Sequence, residues 1–367
     1  MNSLGFDKKN EETKVVVAMS GGVDSSVAAA LLKKEGYDVT GITLRLYNQN
    51  NVAKSKTCCA GQDIEDAKRI AKKFDFPHIT LDYQNNFFTG VIDKFVDSYK
   101  NGETPVPCIN CNQTVKFKDL LEEAKNKNAD ALVTGHYARR IGELNNAKLY
   151  KAKDDSKDQS YFLFATTQDQ LNYLRFPLGN YFKTEIRKIA KDLDLPVKDK
   201  PDSQDICFVA GKSYREFISK LSPDSNLKGN FLNLNNEIIG THEGISNYTI
   251  GQRKGLGIGG FKKPLYVIKI DKINNDIYLG EEKDLKKSSV FLKNINWLDE
   301  SIKENKIECF AKIRSNQKEV KGILNIDNFS ASFKFFEKIN TTSPGQACVF
   351  YRDDQVLGGG WITHSSD

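Results

Sequence analysis

The sequence lacks the features that would tie it to a membrane, a secretion route or a disulfide framework. No apolar run approaches the roughly 20 residues needed to cross a bilayer, and the first thirteen residues contain no apolar signal segment. The cysteines number seven, and an odd number in a chain of 367 residues argues against a framework of paired disulfides. We therefore expect a cytoplasmic protein with no membrane partner, in which residues 1–13 form a flexible tail.

Histidine is also scarce, and this limits the metal sites that the chain can build. There are four histidines, and the spaced cysteine pair Cys108 and Cys111 has no second spaced pair to complete a four-ligand zinc site. The prolines at 105 and 107 predict an extended loop around this pair, which disfavours the strand-to-helix setting of a thioredoxin-like redox site. We expect no zinc, and the pair needs another explanation.

The charge balance is mildly basic. Fifty-four basic and 48 acidic residues leave a net charge of +6, which is compatible with a polyanionic partner but too small to identify one. With 39% hydrophobic and 28% charged residues, the composition is that of a globular protein. A chain of this length predicts two or three domains.

The first 220 residues alternate between strand and helix patterns. Apolar runs predict strands at 14–19, 38–46, 78–82 and 130–135, and helical periodicity predicts helices at 24–35, 61–74 and 86–99. This alternation predicts an α/β domain with a parallel sheet, over residues 14–221. In such sheets, ligands bind beyond the carboxyl ends of the strands.

The pattern changes after residue 222, where helical periodicity gives way to short strands with Asn-rich turns. We predict a small central β-rich domain over residues 222–286. Residues 287–367 read as further short strands and predict a C-terminal β-barrel.

The stretch VVVAMSGGVDSSVAA is the strongest functional signal. A buried strand enters a loop with Gly21 and Gly22, and a helix follows at once, so backbone N–H groups and the positive helix end point at one place. The loop lacks the Gly-Lys-Ser/Thr of a Walker A motif, and its SGGxDS pattern resembles the PP-loop ATP pyrophosphatases. That resemblance implies ATP cleavage between the α and β phosphates, with Mg²⁺ near Asp24. An ordinary strand–turn–helix capped by Asp24 or Ser25 is the alternative.

A third interpretation is that Cys111 and Cys207 act together in catalysis, since both lie in predicted loops of the α/β domain. Replacing a carbonyl oxygen with sulfur requires that the oxygen become a leaving group, which adenylation achieves, and that a sulfur nucleophile arrive, which a cysteine persulfide supplies. A second thiol receives or releases the sulfur by exchange. Two cysteines and an ATP-cleaving loop therefore form a coherent thiolation reaction.

Six blocks in the same order carry a more specific resemblance: AMSGGVDSSVAA, PCINCNQTVKFKDLL, TGHYAR, KDQSYFL, DSQDICF and YTIGQRKGLGI. Together they resemble the tRNA-specific 2-thiouridylases of the MnmA family over nearly the whole chain. The resemblance implies a HUP-like, Rossmann-type PP-loop domain followed by the central domain and the barrel. It also implies ATP-dependent 2-thiolation of the wobble uridine of tRNA, in which adenylation of the C2 oxygen precedes sulfur transfer from a persulfide, releasing AMP and pyrophosphate.

The same resemblance assigns roles to residues. It makes Cys111 the nucleophile and Cys207 the persulfide carrier, and it implies that the two can form a disulfide. It assigns ATP binding to Ala18, Met19, Ser20, Gly21, Gly22, Val23, Asp24, Ser25, Leu44 and Gly135. It assigns contact with the target base to Val106, Pro107 and Cys108, and contact with tRNA to Lys157, Asp158, Gln159, Arg314 and Ser315. The implied partners are tRNAs with a wobble uridine, such as those for lysine, glutamate and glutamine, and a persulfide donor such as a cysteine desulfurase or a relay protein.

One position departs from the family pattern. Cys108 stands where many members have an aspartate proposed to shuttle protons, and a thiol has a pKa of about 8.5 against about 3.9 for that carboxyl. Either Cys108 transfers protons poorly or another group does so. His136 is a further candidate base, although a structural histidine is the commoner role.

Two other functions remain open at this point. An iron–sulfur thiolase would use Cys108, Cys111 and Cys207 as cluster ligands, but this chain has GHYARR where such enzymes have a GHHxDD-like segment, so we expect no cluster. An RNA-binding or nucleotide-sensing protein without catalysis is the second alternative, and the intact Cys111 and Cys207 speak against it.

Overall fold

A computed structural model describes residues 1–47, 61–202, 206–209, 213–225, 227–299, 301–327, 330–340 and 343–367. Contacts divide the chain into two units: the first contains 1–91, 108–211 and 354–357, and the second contains 92–107, 212–353 and 358–367. Over the ranges described, no helix is both long enough and apolar enough to cross a bilayer.

Helices are present at the three predicted places, 24–35, 61–74 and 86–99, the last as two helices joined by a π-helical turn. The helices, in chain order, are α1 Val23–Lys34, α2 Gly61–Phe74, α3 Gln84–Phe87, α4 Asp93–Lys100, α5 Pro107–Cys111, α6 Leu120–Asn126, α7 Gln168–Tyr173, α8 Lys183–Asp192 and α9 Tyr214–Leu221. Wider π-helical turns occupy Phe88–Ile92 and Asn112–Asp119. Short 3₁₀ turns lie at Asn10–Glu12, Ser160–Leu163, Pro177–Asn180, Pro223–Ser225, Ile245–Asn247 and Glu282–Leu285.

A parallel sheet forms the centre of the first unit. The strands of this unit, in chain order, are β1 Lys14–Ala18, β2 Asp38–Arg45, β3 His78–Asp82, β4 Ala131–Val133, β5 Arg139–Ile141, β6 Lys148–Tyr150 and β7 Leu174–Arg175. The sheet order is β3-β2-β1-β4-β7, while β5 and β6 form an antiparallel hairpin. Because β1 is central, its apolar side chains are buried, and α1, which is apolar on nearly every side, packs beside it.

The second unit contains a mixed sheet and a barrel. The sheet has the order β10-β11-β8-β9, from β8 Gly229–Leu232, β9 Ile238–His242, β10 Tyr266–Asp271 and β11 Asp276–Gly280. The barrel consists of β12 Lys286–Trp297, β13 Lys306–Lys312, β14 Val320–Ile326, β15 Ala331–Asn340, β16 Ala347–Arg352 and β17 Gln355–Ser366. Pairing of β12 with both β15 and β17 closes the ring. The predicted fold class, an α/β PP-loop domain followed by a central β domain and a β-barrel, is thus confirmed.

The amino-terminal segment differs from the predicted flexible tail. Leu4 and Phe6 are buried in the core of the first unit. Arg175 Nε donates a hydrogen bond to the Leu4 carbonyl at 2.8 Å, and its guanidinium lies 4.6 Å from the centre of the Phe6 ring. The prediction was wrong because residues 1–13 are polar on average but include Leu4 and Phe6, which pack over the buried Arg175.

The cysteine segment also differs from the predicted extended loop. Pro107 begins α5, where its missing N–H is not needed for helical hydrogen bonding and its fixed φ suits a first helical position. The π-helical turn Asn112–Asp119 follows, so the chain from 107 to 126 is helical throughout. The prolines therefore mark a helix start in this segment.

Candidate functional site

The loop between β1 and α1 packs closely against α2 and is held by hydrogen bonds within itself. Gly21 has a φ of +69°, and a Cβ at this position would lie 2.2 Å from the carbonyl oxygen of Asp63, so only glycine fits. The N–H of Ser20 donates to Ser25 Oγ at 3.1 Å, and Ser25 Oγ donates to the Gly22 carbonyl at 3.3 Å. These bonds hold the loop at the amino-terminal end of α1, the position expected for an anion cradle.

Two further predicted nucleotide residues flank this loop. Gly135 follows β4 and lies against the start of α1, where an added Cβ would be 2.7 Å from the Ser25 nitrogen and 2.9 Å from the Asp24 carbonyl carbon. Leu44 lies near the carboxyl end of β2, which pairs with β1. Since neighbouring parallel strands end at the same edge, the structure brings the predicted nucleotide residues together there.

A buried lysine neutralises Asp24. Lys183, at the start of α8, is 9% exposed, and its Nζ donates to Asp24 Oδ1 at 2.7 Å and to Oδ2 at 2.8 Å. Tyr137 Oη donates to the same carboxylate at 2.8 Å. Burial, together with the Asp24 charge, raises the pKa of Tyr137, so this hydroxyl remains a donor. Sequence reasoning missed Lys183 because no local motif marks it.

A second lysine contacts the loop from the other side. Lys200 Nζ donates to the Gly21 carbonyl at 2.9 Å and pairs with Asp63 and Asp66, which lie one turn apart on α2. Burial lowers the pKa of Lys200, but hydrogen bonds to the two aspartates outweigh burial and raise it. The loop therefore lies between Lys183 and Lys200, and the second of these remains charged at neutral pH.

Asp202 forms ion pairs with three cationic side chains and precedes a predicted catalytic cysteine in the sequence. It lies five residues before Cys207 and pairs with Lys183 at 3.0 Å, with Lys157 at 3.0 Å and with Arg187. Burial raises the pKa of Asp202, but the hydrogen bonds from Lys157 and Lys183 and the nearby charges outweigh this and lower it to about 2. Asp202 is therefore ionised at neutral pH.

Cys111 is a buried thiol at the end of α5, and Cys108 is exposed one turn earlier. Burial raises the pKa of Cys111, partly offset by the charge of Lys116, so the thiol is protonated at neutral pH in this conformation. The neighbouring Asn112 donates from Nδ2 to the Phe162 carbonyl at 3.1 Å. None of the described residues hydrogen-bonds to its buried Oδ1, an uncommon state for a buried acceptor.

The short described segment around Cys207, residues 206–209, contacts the aromatic side chains of Tyr47 and Phe87. Tyr47 Oη donates to the Cys207 carbonyl at 3.3 Å. The ring of Phe208 packs edge-on against Phe87, with 5.8 Å between ring centres. These contacts position the backbone of Cys207, while its side chain stays partly exposed.

The predicted tRNA block has structural contacts of its own. The Asp158 carboxylate accepts from the backbone N–H of Ala152 at 3.0 Å and of Ser160 at 3.2 Å. Gln159 Oε1 accepts from the N–H of Tyr137 at 2.9 Å. These bonds tie the block to the residue that also contacts Asp24.

The remaining predicted contacts are distributed over the chain. Val106 is half-buried, and Pro107, which begins α5, is buried. In the second unit, Arg314 is exposed in the turn after β13, and Ser315 Oγ donates to Asn316 Oδ1 at 3.3 Å.

The described part of the chain brings no three His, Cys, Asp or Glu side chains together as a metal site. Cys108, Cys111 and Cys207 all belong to that part, so they are not grouped as the iron–sulfur alternative requires. That alternative is not favoured.

His136 lies beside the loop and has the character of a neutral side chain. It is half-buried, its Nδ1 shares a hydrogen bond of 2.8 Å with Thr134 Oγ1, and its ring packs edge-on against Phe117 and Phe176. Burial, with a contribution from Lys116, lowers the pKa of His136 to about 3. This environment does not favour a proton-donating imidazolium.

The pKa of His136 predicts a pH-dependent stability. In the unfolded chain the pKa of His136 is about 6.5. Between pH 6.5 and pH 3 the unfolded state therefore binds a proton at this side chain and the folded state does not. The free energy of unfolding should consequently decrease as the pH falls from about 6.5 towards 3. Replacing His136 with asparagine should remove up to about 1.4 kcal/mol per pH unit of that slope. Denaturant titrations between pH 7 and pH 4 measure it. His364→Asn, at an exposed position in β17, is the matched control, and equal slopes in both variants would contradict the assignment.

Comparisons with known proteins cover almost the whole chain. A family model described as the tRNA methyl transferase HUP domain matches residues 13–211. The tRNA methyl transferase PRC-barrel domain matches 215–281, and the aminomethyltransferase beta-barrel domain matches 287–362. The first two descriptions carry the words methyl transferase and the third the word aminomethyltransferase, whereas the following relatives are described as thiouridylases.

Among those relatives, the tRNA-specific 2-thiouridylase MnmA of Rickettsia prowazekii (strain Madrid E) is 51% identical over 352 residues, which cover 95% of this chain and 98% of the relative. The protein of the same description from Rickettsia bellii (strain OSU 85-389) is 50% identical over 361 residues, with 98% of each chain covered. A solved 4-thiouridine synthetase–RNA complex with bound ATP aligns with a TM-score of 0.35 and 18% identity over 58% of this chain and 51% of that one. That structural likeness is too low to support an argument.

Proposed function

This chain belongs to the MnmA family of tRNA-specific 2-thiouridylases, and from that membership we propose which of its residues carry out each part of the reaction. As a member it is a tRNA-uridine 2-sulfurtransferase that binds ATP at a PP-loop and thiolates tRNA. The observation that carries the proposal is the edge of the parallel sheet where the Gly21 loop, Gly135 and the buried Lys183 meet.

ATP occupies this edge in our proposal. The contacting residues are Ala18, Met19, Ser20, Gly21, Gly22, Val23, Asp24, Ser25, Leu44 and Gly135. The close approach of Gly135 to the start of α1 supports this, because a side chain there would fill the cradle. Mg²⁺ would be held by Asp24 together with substrate phosphates, a common arrangement for this ion, which requires Asp24 to exchange its hydrogen bonds from Lys183 and Tyr137 for the ion. When bound, the ion would neutralise charge on the pyrophosphate leaving group.

The cysteines then perform the sulfur transfer. The uridine C2 oxygen attacks the α-phosphorus of ATP, and pyrophosphate leaves. The terminal sulfur of a Cys207 persulfide attacks C2, and AMP leaves with the former carbonyl oxygen. The Cys111 thiolate attacks the Cys207 sulfur, which breaks the S–S bond, completes the thiocarbonyl and leaves a Cys111–Cys207 disulfide for an external thiol to reduce. Because burial raises the pKa of Cys111, its proton must leave before this attack.

The substrate and the partners complete the proposal. The target is the wobble uridine of tRNAs such as those for lysine, glutamate and glutamine, with its base beside Val106, Pro107 and Cys108. The tRNA contacts are Lys157, Asp158, Gln159, Arg314 and Ser315. A cysteine desulfurase or a relay protein supplies the persulfide, and the reaction takes place in the cytoplasm. We place the domain boundaries at 14–221, 222–286 and 287–367, close to the ranges of the family models.

Mass analysis of tRNA tests the proposed reaction. After incubation with ATP, Mg²⁺ and a persulfide source, we expect the wobble uridine to gain the mass difference between sulfur and oxygen, with AMP formed in equal amount. A tRNA with no uridine at the wobble position serves as the control and should remain unchanged. Modification of another nucleotide, or AMP release without thiolation, would contradict the proposal.

A further inference from the structure

We propose that Lys183 is a catalytic residue that binds the β- and γ-phosphates of ATP and stabilises the leaving pyrophosphate. The inference rests on the ATP site proposed above. It goes beyond that site because the residues assigned there to ATP do not include this lysine.

The ammonium group of Lys183 lies at the end of α1 that adjoins the nucleotide loop. It donates to both carboxylate oxygens of Asp24, at 2.7 and 2.8 Å, and Asp24 is the second residue of α1. The unpaired N–H groups and the positive dipole end of a helix attract anions at this place. A phosphate that enters the cradle therefore comes close to the ammonium.

The lysine side chain extends from a fixed point. The backbone N–H of Lys183 donates to Asp154 Oδ2 at 2.9 Å, and the other oxygen of that carboxylate accepts from Ser156 Oγ at 2.6 Å. The side chain is buried, so water competes little for its ammonium. In such a setting, a hydrogen bond between an ammonium and a phosphate oxygen is strong and well oriented.

Lys183 has two carboxylate partners, and only one of them belongs to the nucleotide loop. Besides contacting Asp24, its Nζ lies 3.0 Å from Asp202 Oδ1. When Asp24 exchanges its hydrogen bonds for Mg²⁺, Asp202 remains as the counter-ion of the lysine. The ammonium is then not left unpaired at a buried position, which would be costly. The hydrogens that pointed at Asp24 become available to phosphate oxygens.

Lys200, the other lysine at the loop, does not suit this role. Its Nζ contacts the Gly21 carbonyl oxygen, Asp63 and Asp66, and these three partners match the three hydrogens of an ammonium. None of these partners is exchanged when ATP binds in our proposal. Lys200 therefore holds the shape of the loop, whereas Lys183 changes partner.

The charge of the leaving group explains why the contact is catalytic. As the uridine oxygen bonds to the α-phosphorus, the bond from that phosphorus to the bridging oxygen breaks, and its electron pair stays with pyrophosphate. Negative charge on the leaving group therefore grows in the transition state. An ammonium fixed beside it stabilises the transition state more than it stabilises bound ATP.

Nucleotide binding without metal, in an Asp24→Asn background, tests the contact. This background lacks the loop carboxylate that Lys183 neutralises, so the ammonium is available to ATP. In EDTA, we expect Asp24→Asn to bind ATP at least as tightly as the native protein does. Asp24→Asn/Lys183→Gln should bind ATP about tenfold to a hundredfold more weakly than Asp24→Asn, the scale of a hydrogen bond to a charged group. Both should bind AMP equally, because AMP lacks the β- and γ-phosphates.

The matched control is Lys188→Gln, which removes an exposed positive charge from the same helix. In the Asp24→Asn background it should leave ATP affinity unchanged. Equal ATP affinity of Asp24→Asn and Asp24→Asn/Lys183→Gln would overturn the inference, and an equal loss of ATP and AMP affinity would show that the lysine only maintains the loop. Failure of the native protein to bind ATP would instead refute the proposed nucleotide site.

Two measurements complete the test. At saturating ATP with Mg²⁺, Lys183→Gln should form AMP about a hundredfold to a thousandfold more slowly than the native protein in a single turnover, whereas Lys188→Gln should match the native rate. Trace acetylation of Lys183 in the native protein, read by peptide mass analysis, gives the result even if a variant does not fold. ATP should slow this acetylation several-fold and AMP should not, and equal rates with both nucleotides would overturn the inference.

Discussion

Cys207→Ser is expected to abolish the formation of thiolated tRNA, with a loss on the order of a thousandfold or more. A serine oxygen cannot carry the persulfide sulfur that replaces the uridine oxygen. The nucleotide loop does not depend on this side chain, because its contacts come from the Ser20, Ser25 and Lys200 side chains and from backbone groups. ATP-dependent activation of tRNA should therefore persist. Single-turnover assays that follow AMP and thiolated tRNA in parallel measure both steps.

Cys111→Ser should fail at a different stage. Without the Cys111 thiol, the disulfide-linked adduct between C2 and Cys207 is not resolved, so a protein–tRNA adduct that added thiol releases should accumulate. Cys309→Ala, which alters a buried thiol of the barrel, is the control for loss of a cysteine as such. Full thiolation by Cys207→Ser, or the absence of any thiol-sensitive adduct in Cys111→Ser, would refute this division of roles.

Gly21→Ala is expected to weaken ATP binding on the order of a hundredfold, the scale of a site displaced by about 1 Å. At a φ of +69° an alanine is strained, and its Cβ would lie 2.2 Å from the Asp63 carbonyl oxygen, which is backbone and cannot rotate away. The loop must therefore shift away from α2. The backbone strain alone costs about 1–3 kcal/mol of stability. Titration with ATP and thermal unfolding measure the two effects separately.

Gly61→Ala is the matched control for this substitution. Gly61 begins α2, and an added Cβ there meets no atom of the described residues within 4 Å. We expect ATP affinity and melting temperature close to those of the native protein. If Gly21→Ala were to bind ATP as tightly as Gly61→Ala, the loop would not be the nucleotide site that we propose.

The local elements of the first unit follow from short-range patterns. The strand Lys14–Ala18 and the helix Gly61–Phe74 can be predicted from neighbouring residues alone. Apolar residues on the buried side of a strand or helix recur at a fixed spacing along the chain. The loop at Gly21 is also local, since the strand, the glycines and the helix follow one another directly. Adjacent residues are therefore enough to predict the loop at which we propose that ATP binds.

Predictions failed where local composition was ambiguous. The prolines around Pro107 predict a loop, yet proline is equally suited to the first position of a helix. Residues 1–13 are polar on average, yet the burial of Leu4 and Phe6 depends on a surface formed by other parts of the chain. In both cases the outcome depends on packing partners that the segment itself does not contain.

The sequence alone therefore predicts the order of elements, the glycine loop proposed to bind phosphate and the two cysteines proposed to transfer sulfur, because adjacent residues or short motifs specify each of them. It does not reveal that Lys183 neutralises Asp24 or that Asp202 joins Lys183 to Lys157. Lys183 is 159 residues from Asp24 along the chain, and the sequence around this helical lysine does not indicate which residue it pairs with. Long-range folding brings these charges together, and burial makes their pairing necessary.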